Sequence, residues 1–325
     1  MARHPVPDTI DGTGATSDHL RAFGRSMPRS LLLSLRPSQW TKNLIIFAAL
    51  LFAADAKRLL DPSAVLLSIL AFIIFCALSG VVYLINDIVD RDADRQHPLK
   101  RNRPIATGEL PVSVAAATAT TLGVGSLAAA FMLRFEFGIV ASSYVGLLAL
   151  YSGPLKHVVI IDVLTIALGF VLRAVAGAVV IDVEISQWLL IVTVLLALFL
   201  ALSKRRHELV LLADGATSHR PILEEYSPYL LDQMIAVVTA STLVAYAFYT
   251  VSPDTVQKFG TDKLGLTLPF PLYGIFRYLY LVHQKEGGGS PSDLLLNDRP
   301  LLACVALWAI AVVLILYGRG RLIFW

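Results

Sequence analysis

Between positions 86 and 94 the chain reads Asn86-Asp87-Ile88-Val89-Asp90-Arg91-Asp92-Ala93-Asp94. If this stretch continues the apolar run before it as a helix, Asn86, Asp90 and Asp94 recur every four residues on one face, with Asp87 on its edge. Carboxylates stacked in that way repel one another unless a cation neutralises them. Mg2+ suits hard oxygen donors and is usually shared with substrate phosphates. The same residues also describe a solvated acidic helix end paired with Arg91, Arg95 and Lys100. Directly downstream, Lys100, Arg101 and Arg103 are bracketed by Pro98 and Pro104. A stiff basic loop beside acidic groups fits a magnesium pyrophosphate, the carboxylates holding the metal and the cations holding phosphate oxygens. Charge that only fixes membrane orientation would look the same.

Three further groups share this character. Tyr151-Ser152-Gly153-Pro154-Leu155-Lys156-His157 precedes Asp162, and Asp162, Ile166, Gly169 and Arg173 fall on one helix face. A charge inside a membrane span is costly and is usually functional or paired. Asp162, near the start of its span, is expected at the site. Arg173 lies about 16 Å deeper at 1.5 Å per residue and serves either a structural ion pair or the site. Lys204-Arg205-Arg206-His207-Glu208 ends another apolar run, where its charge suits phosphate or orientation. Arg36-Pro37-Ser38-Gln39-Trp40-Thr41-Lys42-Asn43 opens the first run, and Arg36 and Lys42 suit lipid headgroups or a phosphate ligand equally.

The elements that must position these groups are spelled by composition. Of 325 residues, 56% are hydrophobic and 16% charged, with mean hydropathy +0.68. A soluble domain carries about 25% charged residues, so this chain cannot coat a water-facing surface. A secreted disulfide scaffold, a disordered chain and a soluble nucleic-acid binder are excluded. A helix needs about 20 apolar residues to cross a bilayer. Nine stretches qualify as candidates: Asn43–Ala54, Ser63–Ile85, Pro111–Leu133, Phe137–Tyr151, Val158–Ile181, Gln187–Ser203, Leu230–Val251, Leu264–Val282 and Pro300–Tyr317. Hydrocarbon forces backbone groups to pair within each span, which predicts an all-α, polytopic bundle.

Most of the 27 Lys and Arg fall on one side of these spans, although the net charge is only +3. The positive-inside rule then places the N-terminus in the cytoplasm and the C-terminus outside. Residues 1–28 read as a flexible cytosolic tail without the apolar core of a signal peptide. Residues 29–325 read as one transmembrane domain, with Gly287–Ser290 a flexible linker in its last cytoplasmic loop. Cys76 and Cys304 sit in apolar runs, where a thiol behaves as a small hydrophobe.

The order Asn86-Asp87-x-x-Asp90-x-x-x-Asp94, then Arg103-Pro104-x-x-x-Gly108, then Tyr151-Ser152-x-Pro154-Leu155-Lys156, within nine spans, closely resembles the UbiA superfamily of intramembrane prenyltransferases. The likeness runs over roughly residues 31–318. It implies that Asn86, Asp90 and Asp94 bind Mg2+ and a diphosphate, and that Arg103 and Lys156 contact that diphosphate. Typical members carry a second aspartate-rich motif after the sixth span, where this chain has Ser203-Lys204-Arg205-Arg206-His207-Glu208. That departure, with Arg36-Pro-x-Gln39-Trp40-x-Lys42-Asn43, is similar to an actinobacterial branch that moves 5-phosphoribose from phosphoribosyl pyrophosphate to a polyprenyl phosphate for cell-wall arabinan. The implied lipid is a decaprenyl phosphate and the implied location the plasma membrane.

Charge supports that branch independently, because donor and acceptor together bring three phosphate groups and one metal motif cannot balance them. Asp90, Asp94 and Lys156 are then expected to act on the leaving pyrophosphate. Arg36, Lys42, Asn43, Asp87, Arg101, Arg103, Tyr151, Lys156, Asp162, Lys204 and Arg205 are expected to line the substrates, with Asp162 toward a ribose hydroxyl. The other enzyme reading is transfer of a prenyl group from prenyl diphosphate to an aromatic acceptor. A transporter is the rival of another class; the chain has no clear internal repeat, and its polar residues gather at one face. Homo-oligomerisation is left open.

Overall fold

The computed structural model describes residues 26–52, 61–96, 100–213, 222, 225–284, 294–295 and 297–318, and every long element among them is helical. The proposed tail lies almost wholly outside the described residues, as do His97-Pro98-Leu99, Arg220 and Gly287–Ser290. In chain order the helices are α1 (Met27–Ser34), α2 (Ala48–Leu51), α3 (Pro62–Val89), α4 (Arg91–Gln96), α5 (Pro104–Thr107), α6 (Val112–Leu133) and α7 (Phe135–Ser152). There follow α8 (Ile161–Val180), α9 (Gln187–Ala213), α10 (Pro228–Val251), α11 (Pro253–Phe259), α12 (Pro269–Gln284) and α13 (Arg299–Tyr317).

Capping chemistry starts several of these helices. Asp61 accepts the amide of Ser63 ahead of α3, Ser227 that of Leu230 ahead of α10, and Asp298 that of Leu301 ahead of α13. Each cap is followed by a proline in the first turn, where the missing N–H costs nothing. Seven helices, α3, α6 to α10 and α13, are long and apolar enough to cross a bilayer. The chain is a multi-pass, all-α membrane protein.

Two of the nine expected spans take other forms. The first is an eleven-residue 3-10 helix, Pro37–Phe47, continued by α2. Its entry residue, Arg36, has φ 52°, and Pro37 occupies its first turn. A 3-10 helix rises about 2.0 Å per residue, so this short stretch still covers about 22 Å. It wedges between α3 and α8. The approach is close enough that a Cβ on Gly177 would collide with the Ile46 backbone, so only glycine fits there. The other is α12, which starts at Pro269 and is 16 residues long. At 1.5 Å per residue it reaches about 24 Å, short of the roughly 30 Å hydrocarbon core.

Successive long helices pack as neighbours from α6 to α10, and α3 lies against α6. One core cluster joins Ile46, Phe75, Phe137 and Tyr144, with the Phe75 ring 5.1 Å from Tyr144 and 5.8 Å from Phe137. A second joins Phe199, Leu202, Tyr226 and Tyr278. Large apolar side chains such as Leu66, Ile73, Val124, Val244 and Leu307 point outward, as a hydrocarbon surround requires. Charged groups concentrate at the end formed by the C-terminus of α3 and the N-terminus of α8. The opposite end has a smaller set, in which Arg134 pairs with Asp182 at 2.9 Å and with Glu136 at 3.2 Å.

Candidate active site

The acidic motif straddles a helix end. α3 stops at Val89 with Asp90 as its C-cap, and Asp94 belongs to α4. The four-residue spacing survives the break, because the Asp90 amide donates to the Asn86 carbonyl and the Asp94 amide to the Asp90 carbonyl, both at 2.8 Å. The expected shared face therefore forms without one continuous helix.

Each motif carboxylate meets a cation from elsewhere in the chain. Arg103 reaches Asp94 at 2.6 Å and Asp87 at 3.0 Å through the same nitrogen. Arg36 also pairs with Asp87, its guanidinium 4.6 Å from the centre of the Tyr83 ring. Lys156 contacts Asp90 at 3.0 Å, and the Asn86 amide donates to the other Asp90 oxygen at 3.0 Å. Arg95 instead pairs with Asp92 and donates to the Ala106 carbonyl. The motif is thus not an acidic helix end neutralised by its own neighbours; its partners come from the segment before α2, from the basic loop and from the α7–α8 connection. Arg101 is exposed on the turn Lys100–Asn102, and Lys42 is half-buried in the 3-10 helix.

Among the described residues no three His, Cys, Asp or Glu side chains gather into a protein-only metal cage. The donors present are an amide and carboxylates, all hard oxygens. Such a set fits Mg2+ held by one or two carboxylates and completed by substrate phosphates.

A second cluster lies beside the first and is far drier. Arg205 is 2% exposed and donates to Asp162 at 2.8 Å, to Glu208 at 2.6 Å and to Tyr151 at 3.1 Å. Asp162 is fully buried, and its remaining oxygen accepts the Tyr226 hydroxyl at 3.0 Å. Tyr226 in turn accepts the Ile160 amide at 2.8 Å. Burial pushes the Tyr226 phenol up to about 12, so at neutral pH it is a neutral donor. Both Asp162 oxygens, expected to face a ribose hydroxyl, are therefore engaged by protein. Lys204 lies 3.8 Å from Glu208 on the outer side of the same turn.

Deeper in the bundle, Arg173 makes no ion pair among the described residues, so the structural ion pair weighed from sequence does not form. Its guanidinium donates to Asn43 and Tyr144 at 2.7 Å each and to the Gly169 carbonyl at 2.9 Å. Asn43, expected among the substrate contacts, is fully buried in this network, where it also donates to Ser79 and Cys76. Ser79 is eight residues below Asp87 on α3, about 12 Å at the helical rise. Sequence reading missed Tyr226 and Tyr144, and gave Glu208 only as the end of the basic run. Tyr226 carries no spacing signal, since it lies in a polar connection and meets Asp162 only through tertiary packing.

The chain matches the UbiA prenyltransferase family over residues 44–297. It is 32% identical to the decaprenyl-phosphate phosphoribosyltransferase of Corynebacterium glutamicum, across 90% of this chain and 88% of that one. With the enzyme of the same name from Mycolicibacterium smegmatis it shares 33% identity, across 87% and 91%. Among solved structures it is similar in fold to a UbiA homolog from Archaeoglobus fulgidus bound to GPP and Mg2+, with TM-score 0.66 and 21% identity over 87% of this chain and 99% of that one.

Proposed function

We propose that this chain, which belongs to the UbiA prenyltransferase family, transfers 5-phosphoribose from phosphoribosyl pyrophosphate to a polyprenyl phosphate of the decaprenyl class and releases pyrophosphate. The observation that carries the reading is the set of three cations, Arg36, Arg103 and Lys156, each resting on a carboxylate of one acidic motif. Such a set handles a diphosphate leaving group. The two relatives described above are named for phosphoribosyl transfer, which supplies the donor. The described residues after 29 act as one catalytic domain in the plasma membrane, with the charged end cytoplasmic, as the distribution of Lys and Arg supports.

Asn86, Asp90 and Asp94 would hold Mg2+. When bound it would neutralise pyrophosphate charge and ease its departure. Arg103 and Lys156 leave their carboxylates to bind the departing oxygens, where charge develops as the C1–oxygen bond breaks. Arg36, which pairs with Asp87, and Lys42 hold a further phosphate. The lipid phosphate, already ionised, forms the new bond to C1 through one of its oxygens, so no general base is needed. Asp162 and Arg205 act differently from the expectation above: both are buried and mutually satisfied, and they build the wall that carries Tyr151 and Lys156. Purified chain in detergent should label polyprenyl phosphate from phosphoribosyl pyrophosphate and stop on addition of EDTA. Absence of labelling from verified, folded protein would overturn the assignment.

A further inference from the structure

Among the described residues three that are not glycine have positive φ, and Ile160, at 69°, is the one with a branched Cβ. L-residues with branched side chains rarely hold that conformation without outside help. Help comes from one atom: the Tyr226 hydroxyl accepts the Ile160 amide at 2.8 Å while donating to Asp162 at 3.0 Å. Tyr226 is itself 4% exposed, packed with Phe199, Leu202 and Ile222, so its hydroxyl position is set by the core.

The strained residue closes a short arch. It begins at Tyr151, whose hydroxyl accepts from Arg205, turns through Gly153, Pro154 and the 3-10 turn Leu155–His157, and ends at Ile160 and Asp162. Lys156 sits between the two tied feet and reaches Asp90 at 3.0 Å. Relaxation of Ile160 to negative φ would swing the arch and move Lys156 off its carboxylate.

The geometry points to Tyr226 as a positioning residue for transfer: by pinning Ile160 at its positive φ, it sets where Lys156 meets the leaving group. The inference rests on the function proposed above for Lys156. The Tyr226 hydroxyl bonds the Ile160 amide and Asp162, neither of them in the acidic motif, and acts through the arch. That hydroxyl should therefore affect the rate of the chemical step and leave the affinity for lipid unchanged.

The test uses full-length protein with Tyr226→Phe, Ile160→Gly and the double variant, normalised to folded, inserted chain. Tyr226→Phe keeps the ring in its core site and removes only the hydroxyl. The expected result is a kcat about tenfold lower with unchanged KM for the lipid phosphate. Glycine holds positive φ without strain, so Ile160→Gly alone should stay near parental rate and should return the Tyr226→Phe protein to within about threefold of it. Hydrogen exchange gives a readout independent of turnover: in Tyr226→Phe the amides of residues 155–160 should exchange at least about tenfold faster, with α3 unchanged. Unchanged exchange overturns the pin. Faster exchange with parental kcat, or a loss of rate that glycine does not repair, overturns the positioning role. If the parent protein fails to transfer phosphoribose, the proposed function falls, while exchange still decides whether the pin exists.

Discussion

The acidic-motif cluster and the Arg205 cluster stand at the same end of the bundle and use the same chemistry, cation on carboxylate, yet they are built for different work. In the first, Lys156 and Asp90 are 17% and 29% exposed, and Arg103 divides one nitrogen between two carboxylates. The cations Arg36, Arg103 and Lys156 are 17–25% exposed and can turn to a phosphate, although Asp87 and Asp94 beneath them are nearly buried. In the second, Arg205 and Asp162 are 2% and 0% exposed, and the Arg205 guanidinium donates to Asp162, Glu208 and Tyr151 within the protein. Removing one partner of a buried pair strands the other charge, at about 3–5 kcal/mol, whereas a partly exposed pair is worth less than about 1 kcal/mol. Charge at this membrane face therefore divides into groups available to a ligand and groups that hold the ligand-binding ones in place.

The largest effect should come from the exchangeable cluster. Asp90→Ala or Asp94→Ala should reduce transfer to below about one-hundredth of parental, since losses at merely supporting groups already reach 10–100-fold, and Asp90→Ala, at the more exposed carboxylate, should leave thermal unfolding nearly unchanged. Activity in both variants under limiting Mg2+ would show that these carboxylates do not hold the metal. Next comes Arg205→Gln, which should behave in the opposite way. It should cost about 3–5 kcal/mol of stability, read as earlier thermal inactivation in detergent, because buried Asp162 loses its counter-charge. If Arg205→Gln kept parental stability and raised only a substrate KM, the two clusters would not differ in kind.

Lys156→Gln should be milder. Losing one charge-assisted hydrogen bond of about 1.5–3 kcal/mol should lower kcat/KM ten- to a hundredfold without loss of stability. The smallest effect is expected at Arg206, which pairs with Asp232 in a partly exposed bridge beside His283. Arg206→Gln should change stability by less than about 1 kcal/mol and transfer by less than about threefold. A large effect there would mean that the basic run acts as a whole and not through Arg205.

How far the sequence foretold this follows from range. Helix type, most spans and the spacing of Asn86, Asp90 and Asp94 are local properties of hydropathy and period, and they are legible. The form of the first span was not, because a close backbone approach at Gly177 and a left-handed Arg36 decide it. The cations that meet the acidic motif were legible as residue types, but their pairing depends on three separate connections coming together. The fate of Lys204-Arg205-Arg206 was least legible. Adjacent charges on one helix end look alike in sequence, yet helical rotation turns Arg205 inward to Asp162 and leaves Lys204 and Arg206 nearer the surface.

On the function proposed above, this charged end moves phosphoribose and not a prenyl group. The most direct measurement offers purified protein equal amounts of phosphoribosyl pyrophosphate and a prenyl diphosphate, with polyprenyl phosphate and an aromatic acid as acceptors, and weighs the intact products. The expected product is a polyprenyl phosphate heavier by one phosphoribosyl group, formed with release of pyrophosphate and missing from Asp90→Ala protein. A prenylated aromatic product, with the polyprenyl phosphate left unmodified, would contradict it.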